Sequence, residues 1–402
     1  MADTAWNLFH KLSREEAQLY LNNRAEKGFN VIQAVILGEH DGLNAVNAYN
    51  RVPLKNNNPE TPDLEGNYSY WEHIDYIIDI AEKLNLYMAI LPTWGDKFNL
   101  KWGIGPVIFN AENAYTYGKW LGDRYKNNKN IIWVLGGDRP LENDTHFEII
   151  RSMAKGIKDG DKGKHLLTFH PFGEHCSSDF VSGEDWLDLN MYQSGHGKLN
   201  FPNYEKIFQE YNSKPVKPVV DAEPRYEDHP IGFNPQNGYY DDFDVRQAAY
   251  WAVFSGAFVH TYGHHSIWSM CTSAEDYFIM EWKEALDRPG AGQMMHLKKL
   301  IELKNIVEMI PDQSIIAKNY QGANHMRALR GSDYAFVYSP CGLECEINLG
   351  IISGDEIEAN WYNPRTGEMH RTGSFKNIGK KVFKAPTSGR GCDWVLVLES
   401  IK

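Results

Sequence analysis

From residue 30 onward the chain alternates two hydrophobic rhythms. Short segments rich in consecutive apolar residues, "NVIQAVIL", "LYMAILP", "IIWVLGG", "HLLTFH", "WLDLNMYQ", "KPVVDAE" and "AFVHTYG", read as strands covered on both faces. Between them lie stretches of helical period near Tyr70 to Leu84, Ala111 to Lys126, His146 to Lys158, Asn203 to Tyr211 and Asp244 to Phe254. Repeated strand–helix units argue for a parallel sheet. Seven strands start near Asn30, Leu86, Ile131, His165, Trp186, Lys217 and Ala257. Closing a barrel takes an eighth, and the place for it is "ADTAW", ahead of a helix at Arg14 to Lys27. An open doubly wound sheet is the alternative, but no glycine fingerprint of a dinucleotide site follows an early strand. The pattern predicts a (β/α)8 TIM barrel.

A last long helix is expected from about Gly292 to Ile310, stopped by Pro311. After it the rhythm changes. "QSIIAKNY", "HMRALRG", "DYAFVYSP", "CEINLG", "EIEANWYNPRTGE", "KKVFKAP" and "DWVLVLES" are short, turn-bounded strands with no helices between them, as a small β-sandwich requires. The predicted division is a barrel over residues 1–311 and an all-β domain over 312–402.

Composition narrows the partners. The formal net charge is −12, which repels nucleic acid and anionic membrane. No stretch approaches the length of a membrane span. Five scattered cysteines imply neither a disulfide framework nor a zinc site. The 12 Trp, 22 Tyr and 18 Phe mostly supply a core, but flat ring faces also stack on sugars while indole and phenol edges donate hydrogen bonds. The N-terminus lacks the layout of a signal peptide. The expectation is a cytoplasmic protein, or an exported one whose signal has been left out of this chain.

In a barrel of this class the C-terminal ends of the strands converge on the active site. Here those ends carry Asp3 and Trp6; Glu39, His40 and Asp41; Thr93, Trp94, Asp96 and Lys97; Gly136 to Arg139; His170; Asn190, Tyr192 and Gln193; Asp221, Glu223 and Arg225; and His260, Tyr262, His264 and His265. Two carboxylates stand out, Asp138 after "WVLGG" and Glu223 in "KPVVDAEPRYE". Glycoside hydrolysis needs such a pair flanking one bond, one to protonate the leaving oxygen and one to attack or activate water. Each could instead be a loop carboxylate paired with Arg139 or Arg225. The histidines follow no metal-ligand spacing, and no G-x-S-x-G appears, so neither a metal nor another cofactor is expected. Lys97, Arg139 and Arg225 at strand ends would make the mouth positive and suit uronic carboxylates, unless each pairs with an acidic neighbour.

"DTAWNLFHKLSREEA", "RAEKGFNVIQAVIL", "LPTWGDKFN", "NIIWVLGGDRP" and "WYNPRTGE" together resemble the apiosidase-like barrel glycosidases, glycoside hydrolase family 140, which end in a β-sandwich. The resemblance covers nearly the whole chain. It implies a retaining glycosidase related to the cellulase-like clan, acting on apiose-containing side chains of pectin (rhamnogalacturonan II), in a family whose members are typically exported by bacteria. Carried onto this sequence, it implies Asp138 as acid/base and Glu223 as nucleophile, with Asp221 the rival for the second role. The wider clan has a glutamate after asparagine on its fourth strand, where this chain has an aspartate after two glycines. Trp94, His170, Tyr192, Tyr262 and His264 are expected to line the subsite, with Lys97, Arg139, Asp221 and Arg225 as further substrate contacts. The expected partner is an oligosaccharide or polysaccharide. A non-catalytic sugar-binding barrel, an endoglucanase-like β-glycanase and a metal-dependent hydrolase are the rival readings.

Overall fold

The computed structural model describes residues 1–401. Eight strands of its largest sheet are the staves of a barrel: β1 (Ala2–Thr4), β2 (Val31–Leu37), β3 (Tyr87–Thr93), β4 (Ile131–Gly136), β5 (Leu166–His170), β6 (Asn190–Gln193), β7 (Val219–Asp221) and β8 (Val259–Tyr262). Their order round the sheet is β5-β4-β3-β2-β1-β8-β7-β6, and a ninth, two-residue strand, His175–Cys176, runs antiparallel to β6. Neighbours from β8 through β1 to β5 pair in parallel. Across the gap between β5 and β6, the Asp188 N–H donates to Leu167 O at 2.9 Å and the Thr168 hydroxyl to Leu189 O at 2.7 Å. The sheet is therefore nearly closed, a (β/α)8 barrel. Short as it is, β1 is paired on both sides, Asp3 lying opposite Ile32 and opposite Tyr262.

The longer helices are α1 (Arg14–Glu26), α2 (Tyr70–Lys83), α3 (Ala111–Tyr125), α4 (Asp144–Asp161), α5 (Asn203–Tyr211), α6 (Asp242–Val253) and α7 (Pro289–Glu302). Capping boxes begin four of them, at Ser13, Ser69, Asn110 and Asp241, where the side chain satisfies a backbone N–H the helix leaves open. The expected helix end at Pro311 is corrected: α7 stops at Glu302. Beyond it Leu303, Ile306 and Val307 are exposed, so further turns would bury nothing, and the Asn305 side chain takes the Val307 N–H in a local turn. Pro311 instead lies in an edge strand, opposite Leu329, where its missing N–H is tolerated.

The contacts divide the chain into two compact units, one of Met1–Gly195, Val220–Glu223 and Thr261–Leu286, the other of His196–Val219, Pro224–His260 and Asp287–Lys402. The second unit contains the all-β region. Its six-stranded sheet runs Ile310–Pro311, Arg327–Arg330, Tyr334–Ser339, Trp394–Ser400, Glu356–Tyr362, Met369–Lys376, and its three-stranded sheet Ile316–Lys318, Cys345–Asn348, Lys380–Phe383. Alternate residues Ala335, Val337, Ile357, Ala359, Trp361, Leu396 and Leu398 form one core, the period-2 burial of a sandwich. The opposite face is buried as well: Tyr338 stacks on Tyr250 of α6 at 4.7 Å.

Candidate active site

The end of β4 is built to present a side chain. Gly136, Gly137 and Asp138 have φ of +91°, +109° and +55°. A Cβ on Gly136 would sit 2.4 Å from His170 O, and one on Gly137 2.8 Å from the Gly95 nitrogen, so only glycine allows this approach. The same residues stitch neighbouring strand ends together, the Gly137 N–H donating to His170 O at 3.1 Å and the Gly95 N–H to Gly137 O at 3.0 Å. Asp138 has a Cβ in the left-handed region, a strain of about 1–2 kcal/mol that surrounding contacts must hold.

Those contacts are specific. Arg139, fully buried, places Nη1 at 3.0 Å from Asp138 Oδ2 and at 2.7 Å from the Asp138 carbonyl, and its Nη2 donates to Glu39 Oε1 at 2.6 Å. The Trp102 indole N–H reaches the Asp138 carbonyl at 3.2 Å and Oδ2 at 3.4 Å. Burial, the nearby charge of Glu223 and that of Glu39 push the Asp138 carboxyl up to about 6, against the opposing pull of Arg139 and His170. It is therefore a carboxyl group that holds a proton at mildly acidic pH and can donate it.

Facing it electrostatically is Glu223, buried, with Oε2 3.0 Å from His170 Nε2. The other ring nitrogen, Nδ1, lies 2.9 Å from Pro171 O. A carbonyl only accepts, so Nδ1 carries hydrogen, and Nε2 against Oε2 is attractive only with a second proton between them. A proton on Nε2 would make this contact an ion pair with the Glu223 carboxylate. The Trp6 and Trp94 rings wall the histidine at 5.5 Å and 6.1 Å. The buried Trp94 indole N–H meets no acceptor among the described residues, which equips it for a ligand hydroxyl. Asp221 is fully buried and accepts from the Ser194 hydroxyl at 2.9 Å. Burial, and next the charge of Asp221, raise the Tyr192 phenol, placing Tyr192 beside Asp221.

Other expected contacts are engaged elsewhere. Lys97 is fully buried with its ammonium 2.6 Å from Asp96 Oδ1, so it offers no charge to a ligand. Arg225 belongs to the second unit, buried, with its guanidinium 5.8 Å from the Trp251 ring. Together with the Arg139 pairs, these replace the expected positive mouth with neutralised or enclosed cations. Tyr262 lies opposite Asp3, whose carboxylate takes the Tyr20 hydroxyl at 2.6 Å and Arg24 Nε at 2.5 Å, both from α1. Residues in register share a face, so Tyr262 points to the helix layer, 6.0 Å from the Phe29 ring. His264 caps a short helix, its Nδ1 accepting from the Ser266 N–H at 3.0 Å. Trp102, by contrast, was invisible to strand-end reasoning. Its only signal is a large aromatic in the glycine-bearing loop "LKWGIGPV", outside any periodic run.

Residues 1–308 match the family model of the apiosidase-like catalytic domain, and residues 310–399 a model described as a collagen-binding domain of a collagenase. No curated protein sequence matches the chain. A solved structure named simply glycoside hydrolase is 34% identical, with a TM-score of 0.91, over 99% of this chain and 92% of its own. A glycoside hydrolase family 5 structure from Bacteroides vulgatus is 33% identical, with a TM-score of 0.90, over 99% of this chain and 88% of its own. An endo-β-1,4-mannanase from Thermotoga petrophila shares the fold at 14% identity and a TM-score of 0.56, over 99% of this chain and 91% of its own. The chain belongs to the apiosidase-like family of glycoside hydrolases.

Proposed function

We propose that this glycosidase cleaves apiosyl linkages in the side chains of pectin by a two-carboxylate retaining mechanism, with Asp138 as acid/base and Glu223 as nucleophile. The observation that carries the mechanism is the contrast between the pair: Asp138 is raised to about 6 by burial and by Glu223, whereas Glu223 lies 3.0 Å from a histidine that can hold it ionised. Protonated Asp138 gives its proton to the departing oxygen as Glu223 bonds to the anomeric carbon. Asp138, now charged beside Arg139, then takes a proton from the water that releases the sugar. The substrate class rests on the family's description. Such a substrate is met outside the cell, so we also propose export.

The test is release of apiose from apiosyl-bearing pectic oligosaccharides, with proton NMR following the anomeric configuration of the first product. Retention and loss of turnover in Glu223→Gln are the expected results. Activity on mannan or glucan alone would redirect the substrate, and an inverted product would replace the nucleophile with a general base.

A further inference from the structure

The loop 99–107 is unusual for what it shows to water. Leu100, Trp102, Ile104 and Val107 are all at least half exposed, Trp102 at 57%. Four apolar side chains this exposed on one short loop mark a binding surface rather than scattered surface residues. Yet the loop is held down firmly. The Gly105 N–H donates to Asp96 Oδ2 at 2.9 Å, and the other oxygen of that buried carboxylate holds the Lys97 ammonium. A Cβ on Gly103 would lie 2.4 Å from the Asp96 Cβ and 2.9 Å from Arg139 Nη2. Asn99 donates to Pro140 O at 2.9 Å, and Lys101 pairs with Glu142. The buried Asp96–Lys97 pair thus anchors an apolar loop against the chain segment that bears Asp138.

We propose that this loop is the leaving-group subsite, with Trp102 as the platform on which the departing sugar stacks. The inference rests on Asp138 being the proton donor. A proton donor touches the glycosidic oxygen, and that oxygen leaves with the departing sugar. Whatever surface adjoins the donor on the side away from the nucleophile holds that sugar. Trp102 is an exposed aromatic adjoining the donor: its indole N–H reaches Asp138, the Arg139 guanidinium lies 5.5 Å from its ring, and Phe172 extends the wall at 6.2 Å. The ligand class is a pyranose with an apolar C–H face, a neutral or carboxylated hexose. Because the loop is pinned, the platform stands ready before substrate arrives.

The experiment uses two substrates with one glycone, an apiosyl-linked pectic oligosaccharide and apiosyl fluoride, whose leaving group neither stacks nor needs a proton. Trp102→Ala is expected to lower kcat/KM on the oligosaccharide about ten- to a hundredfold and to leave the fluoride within about twofold. Trp102→Phe, which keeps a ring, is expected to recover most of the loss. Equal losses of Trp102→Ala on both substrates, or none on the oligosaccharide, would overturn the subsite. Asp138→Ala tests the reading beneath it: kcat/KM on the fluoride, which reports formation of the glycosyl-enzyme, is kept, kcat/KM on the oligosaccharide is lost, and the slowed release of the sugar by water is relieved by azide, which needs no general base. If Asp138→Ala lowers kcat/KM equally on both, the assignment of the proton donor fails, whatever Trp102 does. If the wild type turns over neither substrate, the apiosyl reading and the subsite fall together.

Discussion

At the scale of single residues the site is a balance of charges around one proton. In the proposed mechanism Asp138 acts in its protonated form, so kcat/KM should fall as pH rises through about 6. Arg139 holds that value down and Glu39 holds it up. Arg139→Gln should therefore move the alkaline limb upward, and Glu39→Gln downward, each by about one unit; limbs that fail to separate would show that neither charge is felt. The same shift bears on stability. A carboxyl raised from 3.8 to about 6 in the fold costs nothing below pH 4, where both states are protonated. The cost grows between pH 4 and 6 and is constant above. Asp138→Asn should thus melt higher than wild type at pH 7 and alike near pH 4, helped by asparagine's tolerance of positive φ. The carboxylate pair was legible in the sequence because polar residues interrupt apolar strands there. The facing of Tyr262 was not, since strands covered on both faces show no alternation to read.

At the scale of elements, the strand–helix rhythm was readable because apolar runs and capping residues are local signals. Where an element ends by losing its packing partner, as α7 does at Glu302, the sequence carries no mark of it. Trp102 was missed for a related reason, since a pinned loop has no period. Helix packing holds another signal that only the structure interprets. A Cβ on Gly156 of α4 would lie 2.2 Å from Tyr115 O of α3, and one on Gly118 of α3 2.5 Å from Met153 O of α4. These glycines let the two backbones touch. Glycine to alanine inside a helix ordinarily gains up to about 1 kcal/mol. Gly156→Ala should instead cost about 1–3 kcal/mol, because the helices must part. Gly292→Ala in α7, with nothing within 4 Å, should show the ordinary gain. Urea unfolding of the two variants reads the opposite signs, and a gain in both would refute the close packing.

At the scale of the molecule, the change of rhythm near Pro311 does not coincide with the division made by contacts, which groups Pro224–His260 with the all-β strands. A buried ion cluster shows why. Arg246 of α6 forms a two-pronged pair with Asp393, at 3.1 Å and 2.9 Å, and also donates to Gln293 of α7 at 2.6 Å. Arg365 donates to the Asp393 carbonyl at 2.6 Å, and the Tyr338 hydroxyl to its carboxylate at 3.3 Å. One aspartate of the terminal strands thus neutralises a buried cation on a barrel helix. Arg246 also pairs with Asp242 at 2.5 Å, so removing Asp393 takes away one of its two carboxylate partners, at a cost of about 1–3 kcal/mol. The segment grouped with these strands begins at Pro224, directly after Glu223 in the chain. Asp393→Ala should lower the melting temperature of the second unit and bring down the temperature at which glycosidase activity is lost by a similar amount. Calorimetry and activity measured on the same heated samples make the comparison. A variant whose all-β region melts early while activity survives to the wild-type temperature would show the terminal strands to be an appendage, and the contact division to carry no functional weight.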